Sequence, residues 1–409
     1  MKKEKVMVVA NDLGYGAVKA SINEVDNQVI LQPSVVAEVQ QITSDPIDSS
    51  NDNAVKSTIE NLFKNMDVTI DKKRYLVGLA ASNSTLPRQS FDINSSEGKS
   101  RTNLAMLLPL SLIAAKRIQE AYKAEEDIFE PLKVSVVMAS ALPINEIGFG
   151  DTDRRTEYAQ RFTSKNHIVI FNNFDNPISV TISFKDVKIF KEGEVATGIA
   201  IKHGSSALKK ELVQDIKKNY SADTASRAEE LINNSQNALG IDIGQGTTDL
   251  ALTTHGQADV YNSVSIPQGY GTVLRRALKF LPRMEKGYSL PDVVALSYVL
   301  NSSPTNRIDE ENKETALEAV RTSVPSLISQ IEQGVNDALS ANHDLEVIYI
   351  FGGGSIPLMT QTDLRERLNA ILEQKRSKAV IAWAGEKYSQ NLNEIGLRLL
   401  ADEMAQAFN

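Results

Sequence analysis

The sequence predicts an α/β protein made of two duplicated lobes. The chain has 409 residues, which is more than a single hydrophobic core usually serves. A glycine-rich hairpin pattern occurs twice, once near residue 12 and once near residue 242. Strand-like apolar runs followed by helical patterns fill most of the remaining chain, which is typical of sheets flanked by helices.

The composition is that of a globular protein in water, and it excludes several functional classes. Apolar residues make up 42% of the chain and charged residues 23%, which are ordinary values. The formal net charge of -8 argues against direct nucleic-acid binding, because neutralising phosphates requires clustered lysine and arginine. The chain has no cysteine, which excludes disulfides, thiolate zinc sites and cysteine nucleophiles. Its four histidines show no metal-ligand spacing.

The sequence also predicts a cytoplasmic protein without a membrane partner. No apolar run approaches the roughly 18 residues of a membrane span, and Met1–Lys5 leads into a strand-like segment rather than a signal peptide. The tail from Leu397 to Asn409 has Arg398 as its only basic residue. A tail of that composition is poorly suited to an anionic lipid surface.

The first hairpin pattern starts the chain. A valine-rich run from Lys5 to Ala10 reaches Asn11-Asp12, a Gly-x-Gly turn follows at Gly14 and Gly16, and residues 20–25 alternate between apolar and polar. This order predicts a strand, a tight turn and a second strand. The stretch 31–39 that follows reads as an edge strand.

The second hairpin pattern repeats the first. The apolar run from Ala238 ends at Asp242, Gly244 and Gly246 form the turn with Thr247 and Thr248, and a second apolar run begins after Asp249. Glycines can adopt positive φ and allow several backbone N–H groups to converge on an anion, and hydroxyl groups add further donors. The turn therefore suits phosphate. Because Asp12 aligns with Asp242, we expect two duplicated lobes with their turns facing each other across a cleft.

The other elements follow in order. Apolar periodicity predicts a buried helix over 101–123, a buried strand over 132–142 and further strands over 168–190. The pattern is helical over 204–236 and again over 271–281, and Val347–Phe351 reads as a buried strand that runs into three glycines. A terminal helix follows a last short strand at 379–383.

These motifs together resemble the phosphate-one, phosphate-two and adenosine motifs of the actin-like ATPase superfamily. They are Asp12-x-Gly-x-Gly-x-x-Lys19, Asp242-x-Gly-x-Gly-Thr-Thr-Asp249 and the strand leading to Gly352-Gly353-Gly354-Ser355. Within that superfamily the chain is most similar to ParM-type plasmid-segregating bacterial actins. The residues that support this likeness are Pro33-Ser34-Val35-Val36, the run from Val137 to Pro143, and Lys185–Glu192.

The resemblance implies an actin/heat-shock chaperone ATPase-like fold, with two duplicated lobes around a nucleotide cleft. It implies a first lobe over 1–190, a second lobe over 191–380, and a C-terminal helix within 381–409 that returns to the first lobe. It also implies that the cofactors are ATP, or GTP in its place, and Mg²⁺.

The resemblance further implies a role for each motif residue. Asp12 and Asp242 would hold Mg²⁺ through its waters, which suits an ion that sheds water reluctantly, and Lys19 would reach the β- and γ-phosphates. Arg276 would lie beside the base or ribose, with Arg275 and Lys279 as alternatives. The remaining nucleotide-binding residues would be Leu13, Gly14, Tyr15, Gly16, Gly244, Gln245, Gly246, Thr247, Thr248, Gly353, Gly354 and Ser355.

Glu192 matches the glutamate that positions the attacking water in ParM-like proteins, and with Asp242 it forms the expected catalytic pair. This chain has Lys191 where ParM commonly has proline, so Glu194 stays an alternative, and so does a plain surface role for Glu192. The helical insert over 204–236 is the second feature in which this chain departs from the ParM pattern.

The function implied is an ATPase that polymerises into filaments with ATP and Mg²⁺ and drives plasmid DNA segregation in the bacterial cytoplasm. Its partners would be further copies of itself and a DNA-binding adaptor that connects the filament to a plasmid centromere. Two alternatives stay open. One is a small-molecule (sugar-type) kinase of the same superfamily, and the other is a nucleotide-gated scaffold for cell shape or division.

Overall fold

The computed structural model describes residues 6–23, 29–40, 45–93, 95, 97–147 and 153–408. The leader Met1–Lys5 and the end of the alternating segment 20–25 lie outside these residues. The chain divides into two compact units. The first contains Met1–Val195 and Asn393–Asn409, and the second contains Ala196–Leu392.

The first unit is built on a ten-stranded sheet in the order β3-β2-β1-β8-β10-β9-β5-β6-β4-β7. Its strands are β1 (Met7–Leu13), β2 (Ala17–Ile22), β3 (Ile30–Pro33), β4 (Val35–Glu38), β5 (Asp67–Ile70), β6 (Lys73–Val77), β7 (Arg88–Ser90), β8 (Leu132–Leu142), β9 (His167–Phe171) and β10 (Ile178–Lys191). Its helices are α1 (Asp52–Glu60), α2 (Leu79–Asn83), α3 (Leu104–Lys123), α4 (Arg154–Thr163) and, at the end of the chain, α15 (Leu392–Ala405). Short 3₁₀ turns lie at Leu62–Lys64 and Ile144–Glu146.

The second unit has a six-stranded sheet in the order β13-β12-β11-β15-β16, with β14 also paired to β12. Its strands are β11 (Ala238–Ile243), β12 (Thr248–Thr254), β13 (Gln257–Ala258), β14 (Val264–Ile266), β15 (Val347–Phe351) and β16 (Val380–Trp383). A π-helix over Ala196–Ile201 comes first. The α-helices are α5 (Ser206–Asn219), α6 (Ala222–Ser226), α7 (Ala228–Asn234), α8 (Tyr270–Met284), α9 (Val293–Asn301), α10 (Arg307–Ser323), α11 (Pro325–Ala341), α12 (Ser355–Gln361), α13 (Leu364–Gln374) and α14 (Gly385–Ser389).

The central strands of the first unit carry the polar residues of interest to one edge of the sheet. β8 pairs in parallel with both β1 and β10, with Asn11 opposite Ser140 and Leu142 opposite Lys191. Parallel strands buried on both faces read as nearly continuous apolar runs, and β8 is buried along its length except at Lys133. Because the carboxyl ends of parallel strands meet at one edge, the residues after β1, β8 and β10 are neighbours.

The second sheet repeats this arrangement on a smaller scale. β11 pairs antiparallel with β12 and in parallel with β15, so that Asp242 lies opposite both Asp249 and Phe351. The glycines that follow Phe351 are therefore placed beside the end of β11.

Some elements differ from the sequence-based expectations. The single edge strand expected over 31–39 is wrong, because Ser34 separates two strands that pair with different neighbours. β3 pairs with β2, whereas β4 pairs with β6 and β7. The compact units end at Val195 and Leu392, and the expected lobe boundaries at 190 and 380 stay a prediction.

The terminal helix α15 packs in the first unit. Its residues Leu397, Ala401 and Met404 are buried in a cluster with Ala10 of β1 and Ala139 of β8. No helix among the described residues is both long enough and apolar enough to span a bilayer.

Candidate functional site

The first hairpin joins β1 to β2 through a tight turn. Asp12 lies opposite Lys19 and Leu13 opposite Val18, and the N–H of Gly14 donates to the carbonyl of Ala17 at 3.1 Å. A Cβ on Gly14 would lie 2.7 Å from that carbonyl oxygen. The turn therefore requires glycine at this position.

Donors from outside the turn hold three of its carbonyl groups. The Ser34 hydroxyl donates to the carbonyl of Gly14 at 2.7 Å, the Ser34 N–H donates to that of Gly16 at 3.1 Å, and Lys99 Nζ donates to that of Leu13 at 2.7 Å. In a trans peptide the N–H points opposite to the C=O. Fixing the Gly14 and Gly16 carbonyls therefore directs the N–H groups of the following residues away from Ser34.

Asp12 and Lys19 form an ion pair across the hairpin. Lys19 Nζ lies 2.6 Å from Asp12 Oδ2, and the two side chains are 15% and 4% exposed. The residues expected to meet phosphate and the waters of Mg²⁺ thus neutralise each other in this structure. The pair suits an anionic ligand, because a phosphate that draws Lys19 away would leave the Asp12 carboxylate to face the waters of a cation.

A buried carboxylate from the C-terminal helix lies beneath the same hairpin. Glu394 of α15 accepts a hydrogen bond from the Ser21 hydroxyl of β2, and it is 1% exposed. Burial raises the pKa of Glu394 above its ordinary value, and the hydrogen bond from Ser21 opposes this only in part. Sequence reasoning missed this residue, because α15 is far from the hairpin in sequence.

Glu192 follows β10 and is buried, at 7% exposure, so it is not a plain surface glutamate. Its N–H donates to the carbonyl of Leu142 at 2.9 Å, which anchors it beside the end of β8. Its Oε1 accepts from Lys99 Nζ at 2.7 Å, the same ammonium group that binds Leu13 of the first hairpin. The alternative residue, Glu194, instead pairs with Lys191 at 3.1 Å.

The second hairpin, between β11 and β12, has the same turn. The N–H of Gly244 donates to the carbonyl of Thr247 at 2.9 Å, as Gly14 does to Ala17. The cross-strand pair is different, since Asp242 lies opposite Asp249 instead of a lysine. Both aspartates are buried, at 8% and 2% exposure.

The two threonine hydroxyls of this turn are engaged within the protein. Thr247 Oγ1 donates to Asp249 Oδ2 at 2.9 Å, and Thr248 Oγ1 donates to the carbonyl of Gln268 at 2.9 Å. A hydroxyl has one proton to donate. In this structure, the donors that the turn can offer to an anion are therefore its backbone amides rather than these hydroxyls.

Helix α8 holds the second turn from behind. The N–H groups of Tyr270 and Gly271 donate to the carbonyls of Gly244 and Gln245, each at 2.9 Å. A Cβ on Gly269 would lie 2.5 Å from the Gly244 oxygen, and one on Gly271 would lie 2.5 Å from the Gln245 side chain. Sequence reasoning missed these two glycines, although a Gly-x-Gly at the start of a helix is a visible signal.

The glycine run after β15 contacts the end of β11. Gly352 has φ +86, and a Cβ there would lie 2.4 Å from Asp242 Oδ1. The N–H of Gly354 donates to the carbonyl of Ile243 at 2.7 Å, and Ser355 Oγ donates to the carbonyl of Gly352 at 2.8 Å. Glycine at 352 and 354 thus allows the chain to pass directly over the aspartate of the hairpin.

Arg276 is placed by α8, six residues beyond the point where that helix contacts the second turn. It is half-buried, whereas Arg275 and Lys279 are exposed, and Arg275 donates to Thr272 Oγ1 at 2.9 Å. Its expected role beside the base or ribose stays a prediction.

The described residues contain no group of three or more His, Cys, Asp or Glu side chains that could enclose a metal ion. What they offer is an aspartate at the end of each hairpin strand beside a turn rich in backbone amides. Each hairpin by itself suits a phosphate group with a hydrated cation better than a directly chelated metal.

Comparison with known proteins shows what this chain is similar to. Residues 10–194 match the model of the actin like proteins N terminal domain. The actin-like protein Alp7A is 17% identical, with 98% of this chain and 97% of that one covered and a TM-score of 0.63. ParM of Bacillus thuringiensis with ATP is 15% identical over 99% and 100% of the two chains, with a TM-score of 0.58. A non-polymerisable quadruple mutant of pCBH ParM is 17% identical over 97% and 99%, with a TM-score of 0.54.

A search of curated protein sequences found no match. The fold predicted from the three motifs is confirmed, and so is the resemblance to actin-like proteins of ParM type.

Proposed function

We infer that this chain, which has the actin-like fold, is an ATPase that polymerises with ATP and Mg²⁺ and drives the segregation of plasmid DNA. The observation that carries this proposal is the paired hairpin geometry. In both hairpins an aspartate ends the buried strand, and a glycine N–H closes the turn at 3.1 Å in the first and 2.9 Å in the second. Both turns are held rigidly by outside donors, as pre-organised binding of phosphate requires.

Phosphoryl transfer needs positioning and charge compensation more than covalent chemistry. In the proposed site, the amides of 15–16 and 245–247 bind phosphate oxygens, because those of Gly14 and Gly244 close their own turns, and Lys19 leaves Asp12 to reach the β- and γ-phosphates. Glu192 positions the attacking water. Mg²⁺, when bound, neutralises charge on the phosphate oxygens, and Asp12 and Asp242 hold its waters. Gly353, Gly354 and Ser355 line the nucleoside, with Arg276 beside the base or ribose.

Self-association is supported by the second unit and by the comparisons. Three large apolar side chains are exposed on the adjacent helices α9 and α10, namely Val294 (69%), Tyr298 (74%) and Ile308 (67%). Val294 and Tyr298, four residues apart, share one face of α9, and exposed apolar patches mark association sites. Contacts between unlike surfaces of identical chains do not close and yield filaments, and one similar structure is described as a mutant that does not polymerise.

The test is light scattering combined with phosphate release on the purified protein with Mg²⁺ and ATP, GTP, ADP or no nucleotide. We expect scattering to rise with ATP, or with GTP in its place, and to fall as phosphate is released. An absence of any nucleotide-dependent rise, together with ATP consumption stimulated by sugars, would instead identify a small-molecule kinase.

DNA movement would require a separate DNA-binding adaptor, because the net charge of -8 disfavours direct contact with DNA phosphates. A gel-shift assay at moderate salt tests this, and we expect no shift with the protein alone. Tight binding of DNA by the protein alone would contradict the adaptor.

A further inference from the structure

Lys99 is a buried lysine in the first unit, and its side chain is 0% exposed. Its ammonium group lies 2.7 Å from the carbonyl oxygen of Leu13 and 2.7 Å from Glu192 Oε1. It also lies 4.7 Å from the centre of the Tyr15 ring. Lysine is almost never fully buried unless it is paired, so the surrounding structure must hold this charge in place.

The loop that carries Lys99 is built to insert it. The Glu146 carboxylate accepts from the N–H of Lys99 at 2.7 Å and from the N–H of Ser100 at 3.1 Å. Gly98 has φ +69, and a Cβ there would lie 2.5 Å from Glu146 Oε2. Only glycine fits beside this carboxylate, and the following residue is thereby directed into the protein.

The charge on Lys99 is maintained by its surroundings. Burial alone would lower the pKa of Lys99, but the charges of Glu192 and Glu146 and the hydrogen bond to Glu192 outweigh burial and raise it above the ordinary value. The ammonium therefore stays protonated and can donate to several acceptors at once.

A buried ion pair is weak evidence for a role in stability, because desolvation offsets the attraction. What distinguishes this pair is what it connects. Lys99 binds Glu192, the glutamate that follows β10, and it also binds the carbonyl of Leu13, at the turn that follows β1. We propose that Lys99 is a positioning residue that holds the Glu192 carboxylate in register with the first phosphate-binding turn. This proposal rests on the ATPase function above.

The first test is the Lys99→Met variant, which keeps the length of the side chain and removes the donor. We expect kcat for Mg-ATP hydrolysis to fall about 10- to 100-fold, because a displaced catalytic group costs rate more than binding. Nucleotide affinity should stay within about threefold, since Ser34 still holds the Gly14 and Gly16 carbonyls and so keeps the following amides directed at the phosphates. The control is Lys165→Met, which removes an exposed lysine of the same unit paired with Asp71 and should leave kcat unchanged.

The second test is a double-mutant cycle with Glu192→Gln, which isolates the coupling between the two residues. If Lys99 acts through Glu192, Lys99→Met should cause no further loss of kcat in the Glu192→Gln background. Equal extra losses in both backgrounds would overturn the proposal. If Lys99→Met alone does not fold, the comparison of Glu192→Gln with the double variant still decides, because the double variant contains no unpaired buried carboxylate at 192.

The outcomes separate the two proposals. If the unmodified protein hydrolyses Mg-ATP and Lys99→Met has the same kcat, the positioning role is wrong and the ATPase function stands. If the unmodified protein neither binds nor hydrolyses nucleotide, both proposals are wrong.

Discussion

The two hairpins have the same turn but are held in place by different means. In the first, the side chains of Ser34 and Lys99 bind two of the turn carbonyls, and the Ser34 N–H binds a third. In the second, backbone N–H groups at the start of α8 do so. The cross-strand pairs differ as well, since Asp12 faces a lysine whereas Asp242 faces Asp249.

The comparison shows that the local sequence specifies each glycine turn, whereas the groups that hold the turn in place come from other parts of the chain. The glycines permit the turn in both cases. The first hairpin depends on charged and polar side chains that a single substitution removes. The second depends on close backbone packing, which a single added methyl group disrupts.

The largest expected effects come from the two aspartates, and they should differ between the hairpins. Asp242→Ala and Asp12→Ala should each lower kcat for Mg-ATP hydrolysis by about 100-fold or more, because each removes a carboxylate that would hold the waters of the bound cation. Asp12→Ala should also cost about 1–3 kcal/mol in the free energy of unfolding, because it removes the ion pair that Asp12 makes with Lys19 at 2.6 Å.

Asp242→Ala should instead leave the free energy of unfolding within about 1 kcal/mol of the unmodified protein, because a like charge opposite Asp249 is removed. Urea denaturation and phosphate release measure the two effects. The control is Asp337→Ala, which alters an exposed residue of α11. Retained ATPase activity in Asp242→Ala would remove the second hairpin from the proposed site.

The glycine run tests the packing of the second hairpin. Gly352→Ala should destabilise the protein by about 1–3 kcal/mol or more, because a Cβ at positive φ is strained and would also strike Asp242. Gly287→Ala is the matched control. It has φ +92 but no atom within 4 Å of the added Cβ, so it should cost only the conformational part, about 1 kcal/mol. Equal losses of stability in the two variants would show that the contact with Asp242 does not contribute to the effect of Gly352→Ala.

Ser34 tests the support of the first hairpin. Ser34→Ala should cost about 1 kcal/mol, because the buried Gly14 carbonyl loses its hydroxyl donor. Thr248→Val removes the corresponding side-chain hydrogen bond near the second turn and should cost a similar amount. We expect only Ser34→Ala to weaken nucleotide binding, since Thr248 does not bind a turn carbonyl. Calorimetric titration with a non-hydrolysable ATP analogue measures the nucleotide affinity. Unchanged affinity in Ser34→Ala would argue against a role of the Ser34 hydroxyl in holding the first turn.

The smallest expected effect is a pH dependence specific to the first hairpin. Burial raises the pKa of Glu394 above its ordinary value of 4.5. Between that value and the folded-state pKa, the folded protein binds more protons than the unfolded chain, so stability falls as pH rises through this window. Glu394→Gln should lack this loss, so it should gain stability relative to the unmodified protein at pH 7 and show no gain below pH 4.5.

Thermal unfolding between pH 4 and pH 8 measures the gain. Glu403→Gln, an exposed residue of the same helix, is the control and should show no such dependence. A stability gain of Glu394→Gln that is independent of pH would contradict the assignment of the effect to the raised pKa of Glu394.

The sequence was sufficient for the fold and for the two turns, because both depend on local patterns. The first motif, Asp12 and its Gly-x-Gly turn, lies within residues 12–19, and the second, Asp242 and its turn, lies within residues 242–249. The three glycines after β15 were equally visible.

The supporting residues could not be found in this way. Lys99 lies in a polar loop without periodicity, 86 residues from Leu13 in sequence, and Glu394 lies 373 residues from Ser21. Ser34 appeared to belong to a continuous strand, because nothing local shows that the flanking strands pair with different neighbours. The engagement of the Thr247 and Thr248 hydroxyls was also hidden, because their acceptors depend on the strand register and on the chain before α8.

The central claim is that both hairpins bind the phosphates of a nucleotide. Hydrogen–deuterium exchange with Mg²⁺ and a non-hydrolysable ATP analogue tests it most directly, because exchange reports protection of individual backbone amides. We expect slower exchange in peptides covering 12–19 and 242–249 on addition of the analogue, with no change in a peptide covering 325–341 of α11. Unchanged exchange in either hairpin peptide at saturating analogue would contradict the account.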